Sequence, residues 1–413
     1  MLLEGVDGGS VRGGVGGRVL KAIAVYGFFR GIAWSGFMYL YPLYVLSVGY
    51  HTADLGPIAT YASLASALVL PIAGYFIDVG YAPHVAVISG ACVVGSLVLP
   101  VISPTYLGLV AGYALSNISF MLWSPSRASM VALLAKPEVL GRIFGIYTLL
   151  YNIARVATPY ILGYALSYFT YSQLMVYVGV MILLATAGFA AVVAPLVKVA
   201  RSEVESVTDT AWSSCISLHG VSKVKCMYLR TFVLDRKLVP VAIFGVLDRF
   251  GWGLWMPLLN AYLKEFACFT DEVVGLYNTL MGVGMLASSL PAGYLTDRVG
   301  ALEMLVANEF LGAVGTLMLA LGTGSVVLAS AIPLGVSISL WITSYNTVTS
   351  VILGAGNVGR ARAGVDATRT LIAIPAPLIG SALFSGVSTL APFIGGAALM
   401  LLATAPLIAS KKK

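Results

Sequence analysis

Charge is what this chain has least of. Only 10% of its 413 residues are Asp, Glu, Lys or Arg, where an ordinary soluble domain carries about 25%. Cysteine is scarce too: Cys92, Cys215, Cys226 and Cys268 show neither metal-ligand spacing nor a disulfide framework, so free thiols are expected. The three histidines, His51, His84 and His219, fall in or near loops and form no cluster with an acid or a nucleophile. That argues against a metal site, a cofactor site and a membrane-embedded enzyme. A phosphate-binding loop is also missing. Gly13 to Gly17 is glycine-rich, but no strand precedes it and no Lys-Ser/Thr follows it, so it reads as a flexible tail and not as the engine of an ATP-driven pump. Glu4, Asp7 and the glycines ahead of the first apolar run do not have a signal-peptide layout.

What the chain has in abundance is apolar length. Hydrophobic residues make up 59% of it, in runs that reach the roughly 20 residues needed to cross a bilayer. The spacing predicts an all-α, polytopic integral membrane protein with twelve transmembrane helices. They lie near 20–47, 54–77, 85–103, 105–134, 142–168, 172–197, 238–263, 272–296, 301–321, 325–353, 363–386 and 389–409. The domains expected are a tail over 1–19, a six-helix bundle over 20–197, a charged linker over 198–237, a second bundle over 238–410 and a basic tail over 411–413. With the N-terminus inside, basic residues from Arg12 to Lys413 collect in the tails and inner loops, and the outer loops hold only Lys264. This predicts cytoplasmic termini in a plasma-membrane protein. The net charge of +7 follows from that asymmetry and does not point to nucleic acid. The lipid bilayer is the expected partner, and the functional state expected is a monomer.

The chain also repeats itself. Pro71-Ile-Ala-Gly-Tyr-Phe-Ile-Asp-Val-Gly80 returns as Pro291-Ala-Gly-Tyr-Leu-Thr-Asp-Arg-Val-Gly300, with Gly74 and Gly293 aligned at 293 − 74 = 219. Gly27 and Gly245, Trp34 and Trp252, Met38 and Met256, and Tyr44 and Tyr262 pair at an offset of 218. Gly56 and Gly275 pair at 219, and Ser124 and Ser344 at 220. Repetition at half the chain length marks two related halves.

On these residues the chain resembles the major facilitator superfamily of secondary transporters, whose signature between spans two and three reads roughly Gly-x-Leu-x-Asp-Arg-x-Gly-Arg-Arg. The second copy follows it through Gly293, Asp297, Arg298 and Gly300. The first keeps Gly74 and Asp78 but has Val79 in place of the base. Pro125 to Gly145 is similar to the connection between spans four and five. Thr158-Pro159-Tyr-Ile-Leu-Gly163 carries only part of an antiporter-type signature, and the Arg-x-x-x-Gly element of many proton-coupled exporters is missing around Tyr113 to Asn117. The resemblance implies two six-helix bundles around a central cavity lined by spans one, four, seven and ten. It makes Gly74, Asp78, Gly293, Asp297, Arg298 and Gly300 a gating motif, with glycines for close helix approach and acids that latch onto a neighbouring helix end.

Ionisable residues within spans are costly and therefore candidates for function. Here they are Arg30, Arg127, Arg155, Asp248, Arg249, Glu309, Asp366 and Arg369. Arg30, Trp34, Phe37 and Tyr41 share one helical face, and Asp248, Trp252 and Trp255 share the equivalent face of span seven. Arg30 and Arg127 are the expected attractors of an anionic substrate, and the aromatics stack on its apolar part. Asp248 is the expected coupling acid, set against the plainer reading of an internal ion pair with Arg30. Tyr345 and Asn346 of span ten are expected to line a wet cavity, while Glu309 on a peripheral span has no evident role. Taken together, these features predict a carrier that moves a small solute by alternating access, coupled to a proton (H+) or ion gradient. An organic anion suits the cations, and the alternatives are a broad-range exporter of hydrophobic compounds, a sugar carrier, or a membrane-embedded enzyme, channel or sensor on the same fold.

Overall fold

The structure is a computed structural model that describes residues 14–135, 140–194, 239–353, 365 and 368–410. The linker, residues 1–13, residues 411–413 and Asp366 lie outside the described residues; Gly14–Val19, expected as part of a flexible tail, instead begin the first helix, with Gly16 and Gly17 buried. Among those described, the architecture is all-α with no sheet. The helices are α1 (Gly14–Ser47), α2 (Leu55–Phe76), α3 (Ala82–Ile102), α4 (Tyr106–Leu134), α5 (Leu140–Ala165), α6 (Tyr171–Val193) and α7 (Val239–Trp255). They continue as α8 (Leu259–Glu265), α9 (Asp271–Val299), α10 (Ala301–Leu321), α11 (Ser325–Ala329), α12 (Ala331–Leu353), α13 (Ala376–Gly386) and α14 (Ala391–Ser410).

Nine helical stretches among the described residues are long and apolar enough to cross a membrane. The other three of the expected twelve are α1, α5 and the α7–α8 pair. Tyrosines, glycines and Arg30 dilute α1, and Arg142 and Arg155 interrupt α5. In the α7–α8 pair a 3₁₀ turn at Met256–Leu258 breaks the helix, because Pro257 has no N–H to donate and its ring crowds the preceding turn. The spans that fall short of membrane apolarity are thus ones that carry candidate site residues.

Several connections are closed by side-chain caps. Thr105 accepts from the backbone N–H of Gly108 at 3.2 Å to start α4. Thr170 and Gln173 cap each other reciprocally to start α6, and Thr270 accepts from Val273 to start α9. Each cap supplies a partner to a helix-end donor that would otherwise lack one.

The chain divides into two compact units. The first holds residues up to Tyr41, Ala65–Thr158 and Tyr168–Tyr228, and the second holds Pro42–Leu64, Pro159–Ser167 and residues from Leu229 onward. Within the first, α3 packs on α4 and α6; within the second, its counterpart α10 packs on α12 and α14. The repeat read from the sequence is therefore also a repeat of packing.

Close helix approach occurs in the second unit, though not at the turn-motif glycines. The N–H of Gly56 donates to Ser381 Oγ at 3.0 Å, and a Cβ at Gly56 would collide with the carbonyl oxygen of Pro377. At Gly275 a Cβ would collide with the carbonyl oxygen of Pro159. These contacts are counterparts, since 275 − 56 = 219 and 377 − 159 = 218. Gly74 and Gly293, in contrast, would meet nothing among the described residues within 4 Å of an added Cβ. Replacing Gly56 or Gly275 by Leu is expected to lower stability by about 1–3 kcal/mol each through overpacking. Gly74→Ala and Gly293→Ala should change it by less than about 0.5 kcal/mol. Thermal unfolding of the four detergent-solubilised variants checks the contrast.

Candidate functional site

In the first unit the polar centre is built on Arg30. Placed midway along α1, it is 5% exposed and must find its partners inside the protein. Nη1 donates to Ser89 Oγ at 3.1 Å, and Nη2 donates to Ser119 Oγ at 2.8 Å and Ser119 O at 3.3 Å. Ser119 Oγ donates onward to Ser89 O at 2.7 Å, tying α3 to α4. The guanidinium also lies 4.9 Å from the Trp123 ring, whose Nε1–H donates to Tyr147 OH at 2.9 Å. On the other side of this aromatic pair, Arg127 sits 3.9 Å from the Tyr147 ring centroid. Unlike the enclosed Arg30, Arg127 is half-buried, and its Nε has no hydrogen-bond partner among the described residues. No carboxylate is found among the described side chains of the first unit.

The aromatic face of α1 divides by depth. Trp34 is half-buried and lies against the exposed Phe120 at 5.0 Å. Phe37 and Tyr41 are 1% and 0% exposed and pack on each other and on Tyr113. Tyr41 OH is spent on Leu109 O at 2.8 Å.

In the second unit the centre is an acid pair. Asp248 of α7 is 4% exposed and Glu309 of α10 is 1% exposed, and the two carboxyl groups are neighbours. Asn308 Nδ2 donates to Glu309 Oε1 at 2.7 Å, and Ser337 Oγ of α12 donates to Asn308 Oδ1 at 2.7 Å. Asp248 Oδ1 and Glu309 Oε2 are buried without a hydrogen-bond partner. Asp248 feels the charge of Arg369 first and of Arg249 second. Arg369 lies 4.5 Å from the Trp341 ring and 5.0 Å from that of Tyr345, and these two rings stack at 4.7 Å. Each unit thus holds an arginine over a span-four or span-ten tryptophan, Trp123 or Trp341, at 341 − 123 = 218.

Other expected residues are placed less centrally. Trp252 is half-buried beside Trp255 at 5.0 Å, and Trp255 is fully buried against Phe393. Tyr345 is fully buried and Asn346 half-buried. Thr343 and Thr347 bond their own helix backbone. At the turn motif, Asp297 and Arg298 are exposed, Arg298 lying 5.3 Å from the Tyr294 ring. Gly300 ends α9 at φ 115°, a conformation that favours glycine, and Gly80 ends the first copy at φ 91°. The Asp78 side chain lies outside the described residues.

Arg30 and Asp248 are each engaged separately within their own unit: Arg30 with Ser89 and Ser119, and Asp248 beside Glu309 and Arg369. Glu309 and Arg369 were under-read. One-dimensional spacing does not reveal which spans touch within a bundle, and Glu309 is a neighbour of Asp248 only through the packing of α7, α10 and α12 around Tyr345 and Leu305.

Two pseudo-repeated helical units with buried charged centres define a polytopic carrier-type membrane protein. The sequence profile described as Major Facilitator Superfamily matches residues 23–244, more than half of the chain, and the protein belongs to that family. Solved structures agree on the fold. One titled as a bacterial homologue of the iron transporter ferroportin, in an inward-facing state, has a TM-score of 0.70 at 13% identity, covering 96% of this chain and 99% of its own. A peptide transporter titled POT gives 0.69 at 13%, covering 95% and 94%. The nucleoside transporter NupG gives 0.68 at 13%, covering 96% and 99%. No curated protein matches at the sequence level.

Removing the Arg30 fork leaves Ser89 and Ser119 without their donor. Hydrogen bonds to charged groups contribute about 1.5–3 kcal/mol each. Arg30→Ala is expected to lose at least about 2 kcal/mol on that scale, and Arg30→Lys should fail to restore it, because a point ammonium cannot bridge both serines. Thermal unfolding of the two variants against wild type checks this.

Proposed function

We propose that this protein is a secondary active transporter that moves a small organic anion by alternating access, coupled to protons through Asp248. Membership of the family and its transporter-like fold support the carrier class. The observation that carries the anion reading is the sign of the first unit's interior. Arg30 and Arg127 sit there with no carboxylate among the described side chains, and Arg127 keeps an unsatisfied buried Nε. A half-buried cation with an unpartnered Nε is best completed by an incoming carboxylate or similar anion. Because Arg30 is engaged with two serines, the attracting role falls first to Arg127, with Tyr147 beneath it and the Trp34–Phe120 pair offering an aromatic surface.

The proton reading rests on Asp248, a buried acid on span seven that is exposed to the influence of two arginines. We place the protein in the plasma membrane as a functional monomer with both termini cytoplasmic, on the distribution of its basic residues. Broad-range export of hydrophobic compounds is the second reading, favoured by the exposed Phe120 against Trp34.

A thermal-shift screen of the detergent-purified protein against organic anions, sugars and lipophilic cations separates these readings. A ligand that binds only the folded state adds about 2.7 kcal/mol at a hundredfold excess over its Kd. Anions are expected to stabilise the wild type, and Arg127→Ala is expected to lose that shift while keeping its own melting profile. Stabilisation by lipophilic cations alone would favour the export reading. In proteoliposomes under an imposed pH gradient, Asp248→Asn is expected to abolish accumulation of the stabilising anion. Full accumulation by that variant would remove Asp248 from the coupling role.

A further inference from the structure

The acid pair carries more than the coupling role assigned to Asp248. Two carboxylates only accept hydrogen bonds, so they cannot bond each other unless one of them holds a proton. Asp248 and Glu309 are nearly devoid of solvent exposure and neighbour one another, about one turn before Gly251 and Gly312, which both face Met400 of α14. Each also keeps one oxygen with no partner.

The surroundings make Glu309 the anchored member and Asp248 the adjustable one. Glu309 is held by Asn308, and Asn308 is held by Ser337 Oγ, so α10 and α12 fix its Oε1 from two sides. Asp248 has no such cradle. Its other neighbours are the charges of Arg369 and Arg249 and the Trp341 indole. Of the remaining elements packed here, α14 contributes no titratable side chain along Ala391–Ser410 and α12 contributes Tyr345. Glu303 lies at the start of α10, more than a turn before Glu309. Arg369 is therefore the cation that can favour ionised Asp248, and Glu309 is the group that can hold the proton against it.

We propose that Asp248 and Glu309 form a proton-sharing pair: one proton sits between their carboxyl oxygens, Glu309 positions it, and Arg369 takes over Asp248 when the proton leaves for water. No bond other than O–H is made or broken, and the released proton leaves a carboxylate that the Arg369 guanidinium neutralises. The inference rests on the proton-coupled reading above and assigns a place in it to a residue of the peripheral ninth span.

The test uses the full-length protein reconstituted in lipid, with no substrate present. Infrared difference spectra are recorded as the pH is stepped, and protonated carboxyl bands are identified by their shift in D2O. Wild type is expected to show one titrating band that Asp248→Asn and Glu309→Gln each remove or move, with the double variant showing none. Arg369→Gln should displace the midpoint of the wild-type band. If Glu309→Gln does not fold, Glu309→Asp retracts the carboxyl by one methylene and is expected to move the band as well. A band and midpoint identical to wild type in Glu309→Gln or Glu309→Asp would overturn the pairing, as would a wild type with no such band. Because the readout needs no transport, a protein with the expected band that fails to accumulate any anion under a pH gradient would sink the coupling reading and leave the pair standing.

Discussion

A charge placed inside a bilayer has no water to fall back on, so it must find its partners on its own helix or on those beside it. Much of the polar architecture of this protein follows from that constraint. Arg30 recruits Ser89 and Ser119 and in doing so pins α1 to α3 and α4. Asp248 recruits Glu309 and the charge of Arg369, linking the seventh, ninth and eleventh spans. The expense of each charge is met by a network that also orients helices, which makes stability and chemistry hard to separate at these positions.

The two units solve the same problem with opposite sign. The first keeps arginines against tryptophan, tyrosine and serine, and has no carboxylate among its described side chains. The second keeps arginine against tryptophan too, but adds two buried acids. A duplicated fold permits this division of labour, because equivalent depths in the two repeats can diverge while the packing of span three on four and six, and of nine on ten and twelve, is retained. Anion attraction in one half and proton handling in the other is the arrangement that the proposed function uses.

Some of this was legible in one dimension. Apolar length predicted the all-α membrane class, and the paired turns at Gly74 and Gly293 predicted the duplication. Both rest on local physics: a helix must be long enough to cross hydrocarbon, and a repeat is a matter of spacing alone. Asp248, Arg30 and Arg127 were found for the same reason, since any ionisable residue in a span announces itself. Close approach at Gly56 and Gly275, against the carbonyls of Pro377 and Pro159, went unread, because sequence spacing does not say which backbone a glycine meets.

The sequence by itself thus determined the class, the halves and the roster of buried charges, all of which follow from composition and period. Only the tertiary structure decided who partners whom. Phe37 and Tyr41 share a face with Arg30 yet lie in the core. Arg30 is held by two serines, and Glu309, on a span expected to be peripheral, neighbours Asp248. A buried polar group is satisfied by whatever the neighbouring helix presents at its depth, and that neighbour is set by the packing of the whole bundle and not by any local stretch of chain.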